Sequence, residues 1–226
     1  MKKTHALAAV IGALGLLVVG VVSATAGSSQ KMPAATPHNH AARSQSGLTQ
    51  SDLRALLGRQ LGEHAALAMN ATNLGVTGSS AFPAAAKALD RNSVAISKSI
   101  AAVYGTAAGK AFLNGRFQWR AHVGFFVDYT LALAKRDKAG QNKAVANLRR
   151  YTVEHGKLLG GATGLSPKAL QADLLVHVLE LKAQLDAYAD KQYVKATNLY
   201  QDAYAHMFMT ADLLAGAIAK QQDLPK

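Results

Sequence analysis

Apolar residues recur at a spacing of three and four positions from residue 49 to the end of the chain. Alanine and leucine dominate this region, and Gly or Pro interrupts the pattern at regular intervals. The pattern predicts six helices, at about 51–74, 83–104, 107–134, 141–160, 166–189 and 192–220. Short loops between long helices favour antiparallel neighbours. We therefore expect an all-α fold, an up-and-down antiparallel bundle of about six helices.

A weak internal repeat suggests how these helices are related. Leu61-Gly-Glu-His64 and Leu174-Leu-Val-His177 share the pattern L-x-x-H on the first and fifth helices, and the helix after each carries two branched apolar residues one turn apart. The sequence thus predicts two related hairpins plus a central pair of helices.

Residues 1–26 have the layout of a secretory signal peptide. Lys2 and Lys3 precede a long uncharged apolar run, and Ala24-Thr-Ala26 follows as a small-residue cleavage site. An uncleaved membrane anchor is the alternative, because about 17 to 25 apolar residues can span a bilayer. We expect an exported protein, periplasmic or at the cell surface, either soluble after cleavage or tethered by one N-terminal helix.

The next segment, residues 27–48, is rich in Ser, Ala, Pro and Gly and lacks helical periodicity. Such a composition predicts a flexible linker. Residues 49–226 are then the helical bundle domain.

The chain is basic, with a formal net charge of +12. This charge could attract anionic envelope polymers or a membrane surface. The Lys and Arg residues are scattered and are not interleaved with aromatic residues, which argues against nucleic acid as a partner.

Histidines fall on the apolar faces of the predicted helices. On each helix a histidine continues a stripe of apolar residues spaced by three and four, so its side chain should point inward. Four of these histidines lie close to the midpoints of their helices, within about 3 Å along the axis, and would share one central layer of an antiparallel bundle: His64, His122, His177 and His206. His155 lies further from its midpoint and is expected to miss this layer.

Clustered imidazoles in a dry core leave ring nitrogens without partners, at about 1 to 3 kcal/mol each. A bound ion would supply a partner, so the layer predicts a transition-metal site. The chain has no cysteine, and imidazole suits copper, zinc, iron or nickel. Met209, one turn after His206, adds a thioether that favours copper first and zinc second.

Other chemistries find less support in the sequence. Only three glutamates are present, and E-x-x-H pairs are missing, which argues against a ferritin-like di-iron centre. No nucleophile and general base can be paired, so an enzyme is the weakest reading. Non-covalent haem between histidines remains an alternative, and so does a structural or interaction module of the envelope in which the histidines only fill the core.

Several motifs resemble those of a family of exported bacterial α-helical proteins without an assigned activity. They are Asn92-Ser-Val-Ala-Ile96, Tyr104-Gly-Thr-Ala-Ala-Gly109, Trp119-Arg-Ala-His122 and His206-Met-Phe-Met209-Thr-Ala-Asp212-Leu-Leu-Ala-Gly216. The resemblance covers about residues 54–221 and implies a helical fold with histidines at four positions, the same four that share the predicted layer. The chain departs from the family at Ala95, where Asp is frequent, and lacks a terminal Q-F-P.

Overall fold

The computed structural model describes residues 48–226, which contain seven α-helices and no strand. The helices are α1 (Gln50–Val76), α2 (Phe82–Tyr104), α3 (Thr106–Leu113), α4 (Trp119–Ala134), α5 (Lys138–Thr163), α6 (Pro167–Ala189) and α7 (Tyr193–Gln221). The all-α class and the bundle architecture are confirmed. The predicted signal peptide and nearly all of the predicted linker lie outside the described residues.

Short polar caps define where several helices begin. Thr49 and Asp52 form a capping box at the start of α1, in which each side chain accepts a hydrogen bond from the other residue's backbone N–H. Asp137 and Ser166 cap α5 and α6, and Pro167 follows Ser166 at the first helical position. These caps satisfy backbone groups that would otherwise be unpaired at the helix ends.

The third predicted helix is divided in two. The sequence pattern favoured one helix over 107–134, but α3 ends at Leu113 and α4 begins at Trp119. Gly115 has φ 136°, a conformation that helices do not contain, and the buried ring of Phe117 turns inward in the connection. The dipeptide Asn114-Gly115 is a common turn signal, so the expected number of six helices becomes seven in the described part of the chain.

Packing between the helices builds one large apolar core and a small second cluster around Tyr129, Ala144 and Leu185. Helix α1 contacts α7, α2 and α4, while α5 packs between α4 and α6. The consecutive pairs α1–α2, α4–α5 and α6–α7 are all in contact, as the predicted hairpins require. Whether the first and last hairpins are related copies stays a prediction. None of the helices in residues 48–226 is long and apolar enough to cross a membrane.

Candidate metal centre

Three imidazoles from three different helices meet in the core. His64 on α1 and His122 on α4 are each 1% exposed, and His177 on α6 is 2% exposed. One ring nitrogen from each of them lies within 4.8 Å of the others. The convergence of these three histidines agrees with the sequence prediction, because each continues the buried stripe of its own helix.

The closest pair has the separation that a shared ion needs. His64 Nε2 and His122 Nε2 are 3.4 Å apart. Bonds of about 2.0–2.1 Å in a tetrahedral site place neighbouring ligand atoms about 3.3–3.4 Å apart. The nitrogen of His177 lies no more than 4.8 Å from the other two, so a shift of at most about 1.4 Å would bring it to the same ideal spacing.

Most nitrogens of this group have no hydrogen-bond partner. His64 Nδ1, His122 Nδ1 and both nitrogens of His177 are buried and unpartnered. A buried polar atom without a partner costs about 1 to 3 kcal/mol, and native proteins contain few of them. The backbone of Trp119 lies near enough to His122 to interact with it, so the clearest case of a missing partner is His177, both of whose nitrogens are unpartnered.

Burial keeps all three imidazoles neutral. Desolvation lowers the pKa of His64 to about 4 and lowers the pKa values of His122 and His177 well below the usual value. Mutual repulsion among the rings adds to the lowering at His122 and His177. Because only a neutral imidazole has a lone pair to offer a metal, the site is in the ligating protonation state at neutral pH.

Asn92 is a neighbour of the site that the apolar stripes did not indicate. Its amide nitrogen donates to the carbonyl oxygen of Gln60 and to Glu63, both at 3.1 Å, which holds the side chain in place. The side chain approaches His64 and partly opposes the lowering of the histidine pKa. No hydrogen bond with good geometry forms, however, and both Asn92 Oδ1 and His64 Nδ1 lack a partner. A small shift would let Asn92 orient His64 for coordination.

Aromatic rings pack against His64 and His122. The ring centre of Trp119 lies 4.7 Å from that of His64 and 4.8 Å from that of His122. Tyr151 stacks on His122 at 4.4 Å and on His155 at 5.1 Å. These rings exclude water from the site, and a low local dielectric strengthens any interaction formed inside it.

His155 is fully buried but stays outside the group of three, as expected. Its Nδ1–H donates to Gln118 Oε1 at 2.7 Å, while Nε2 has no partner. Desolvation lowers its pKa to about 3.

His206 departs from the predicted four-histidine layer. Its Nδ1–H donates to Glu180 Oε2 at 2.7 Å and its Nε2–H donates to Asp173 Oδ1 at 3.1 Å. A ring that donates from both nitrogens is an imidazolium, and the two carboxylates raise its pKa to about 9. With both nitrogens occupied by protons, His206 has no lone pair for a metal. The prediction that it is a ligand is therefore not supported by its surroundings.

The carboxylates beside His206 explain why the prediction erred. Asp173, His177 and Glu180 occupy one face of α6 at spacings of four and three. Glu180 lies one turn after His177 on α6, but in the fold its carboxylate binds His206 on α7. Asp173 was missed, although its spacing from His177 was a visible signal.

Met209 lies away from the site, which corrects its prediction as a ligand. Its side chain is 64% exposed, whereas Met207 is 2% exposed and faces the core. Helix α7 packs against the core through His206, Met207 and Thr210. Residue 209 therefore lies on the side of α7 that faces away from the core. The thioether argument that ranked copper above zinc therefore has no support.

Next to the centre is a cavity of about 200 Å³ whose wall includes His177 and Trp119. Drug-sized ligands occupy pockets of roughly 300–1,000 Å³, and a haem needs at least that much room. This cavity is therefore too small for haem at His177.

Comparison with known proteins gives no relative from which a function could be transferred. No family model, no curated protein and no solved structure matches the chain. The resemblance to exported helical proteins thus stays a prediction, and the function has to be argued from the site.

Proposed function

We propose that this protein binds one transition-metal ion, copper or zinc, through His64, His122 and His177, and that its role is to hold or deliver the ion. The observation that carries the proposal is the convergence of three neutral, buried imidazoles whose nitrogens lie within 4.8 Å of one another and largely lack partners. Three imidazoles leave a fourth coordination position open, as exchange of the ion with a partner requires. Export to the cell envelope, as the N-terminus predicts, is part of the same proposal.

A metal titration of the purified full chain tests this proposal. After removal of bound metal with a chelator, Zn²⁺ and Cu²⁺ are added separately, and bound metal is measured by calorimetry and elemental analysis. We expect one ion per chain. Because the segment before the bundle contains His5, His38 and His40, the titration uses a variant with all three changed to alanine, so that any ion counted belongs to the bundle.

A matched pair of variants locates the ion. His177→Leu removes one of the three ligands and should weaken binding at least tenfold. His155→Leu removes a histidine that is equally buried, at 0% exposure, but stands outside the group of three, and should leave binding unchanged. The proposal would be falsified if the protein with His64, His122 and His177 intact bound neither metal, or if His177→Leu and His155→Leu lost metal binding equally. Either result would favour a structural module.

A further inference from the structure

The cavity beside His177 has almost entirely apolar walls. Its lining comes from side chains of α1, α2, α3, α5, α6 and α7. Typical lining residues are Leu61, Ile96, Leu170 and Ile218. Its volume of about 200 Å³ exceeds the 150 Å³ of an engineered apolar cavity that stays dry and binds benzene. A substituted benzene ring is therefore about the size of molecule that it can hold.

One side of the cavity lies near the surface of the protein. Ala111 on α3 is exposed and Ala108 is partly exposed, and both belong to the lining. Beside them, the Tyr104 hydroxyl donates to Gln221 Oε1 at 2.6 Å and joins the end of α2 to the end of α7. The exposure of Ala108 and Ala111 places one side of the cavity close to the surface beside α3, and this is the side from which we expect a small molecule to enter.

Polar groups gather at the inner part of this wall. His177 has two buried nitrogens without partners. Asp173 and Thr210 also line the cavity, and Thr210 Oγ1 donates to Asp173 Oδ2 at 3.0 Å. Neither nitrogen of His177 presents surface to the cavity, so the side-chain oxygens of Asp173 and Thr210 are the polar atoms of this wall that a polar group of a ligand can reach.

The negative charge of Asp173 at the cavity wall restricts which molecules can bind there. The Asp173 carboxylate faces this wall and would repel an anion, while its own charge is already paired with His206. Burying any unpaired charge among aliphatic side chains is costly. We propose that the cavity binds a neutral, phenol-like molecule, one apolar ring with a single hydroxyl group that donates a hydrogen bond to the Asp173 carboxylate. This goes beyond metal binding and does not require an ion.

Three probes of the same shape test the proposal on the full chain. They are p-cresol, toluene, which lacks the hydroxyl, and p-toluate, which carries a negative charge. Binding is measured by calorimetry with a chelator present, so the result is independent of whether the protein binds metal. We expect p-cresol to bind once per chain with a dissociation constant of about 1 mM or lower, toluene about tenfold more weakly, and p-toluate not at all.

Two neighbouring alanines on α3 provide the variant and its control. Ala108→Phe places a ring in the cavity mouth and should weaken p-cresol binding at least tenfold. Ala107→Phe adds the same ring at an exposed position outside the lining and should leave binding unchanged. The proposal is overturned if p-cresol does not bind, if the three probes bind equally, or if binding survives in the folded Ala108→Phe variant.

Discussion

At the scale of single residues, two buried histidines on adjoining helices have opposite environments. His177 has no partner for either nitrogen, whereas His206 donates from both nitrogens to carboxylates. Their ring centres are 6.4 Å apart. One imidazole is therefore kept neutral and able to bind a metal, and the other is kept protonated and serves to hold α6 and α7 together.

These environments predict opposite effects of the same substitution on metal-free protein. His177→Leu removes two unpartnered nitrogens and should raise the free energy of unfolding by about 1 to 3 kcal/mol. His206→Leu removes the charged donor that Asp173 and Glu180 share, although Thr210 still donates to Asp173. The change should lower the free energy of unfolding by a similar amount, below the roughly 3–5 kcal/mol of a fully buried pair, because the Asp173 and Glu180 side chains are 21% and 25% exposed.

Urea denaturation at pH 7 measures both changes. A loss of stability in the His177→Leu variant would mean that the nitrogens of His177 have partners in solution, for example ordered water. A metal added to the unmodified chain should raise its stability, and the same metal concentration should raise the stability of His177→Leu by less.

At the scale of helices, the sequence predicted most of the fold. The boundaries expected for the first, second, fifth and sixth helices lie within about two residues of α1, α2, α6 and α7. A cap or a proline marks the start of α1, α2 and α6 locally, whereas α7 begins without either. The break before α4 was missed since the apolar period continues across Asn114-Gly115. His206 was assigned to the wrong group because its partners come from α6, and an apolar stripe on one helix carries no information about polar residues on the next.

Close packing of α3 against α2 makes one glycine essential. A Cβ at Gly109 would lie 2.6 Å from the carbonyl oxygen of Ser97 and 2.7 Å from the Ala101 side chain. Ser97 also donates its hydroxyl to the Gly109 carbonyl at 2.8 Å. Gly109→Ala should therefore separate the two helices and cost about 1 to 3 kcal/mol.

Gly124 is the matched control for this prediction. It lies within α4 at an exposed position, and a Cβ there would meet nothing within 4 Å. Gly124→Ala should stabilise the protein by about 0.5 to 1 kcal/mol, because alanine favours a helix. Thermal unfolding of both variants checks the pair, and stabilisation by Gly109→Ala would contradict the contact between α2 and α3.

At the scale of the whole molecule, the buried histidines set how stability depends on pH. Below pH 6.5 the histidines of the unfolded chain become protonated, whereas the buried imidazoles of the folded protein stay neutral. The pKa values of His64 and His155 in the folded protein are about 4 and about 3. Stability should thus fall as the pH drops from 6.5, by up to about 1.4 kcal/mol per pH unit for each imidazole.

His206 has the opposite effect on the pH dependence of stability. Its folded pKa of about 9 lies above the unfolded value, so its contribution is complete below pH 6.5 and is lost as the pH rises through 9. For metal-free protein, we expect a maximum of stability near pH 6.5. Denaturant midpoints measured from pH 4 to pH 10 provide the check. His155→Leu should flatten only the acid side and His206→Asn only the alkaline side, and a profile without a maximum would contradict both assignments.

The position of Trp119 between His64 and His122 gives the protein an internal optical reporter. It is the only tryptophan in the chain, so all indole fluorescence comes from a ring whose centre lies 4.7 Å from one candidate ligand and 4.8 Å from another. Paramagnetic Cu²⁺ held at this distance would quench the emission almost completely, whereas Zn²⁺ would change its intensity only modestly. Loading, release and transfer of the ion to another protein could then be followed in real time without attaching any dye.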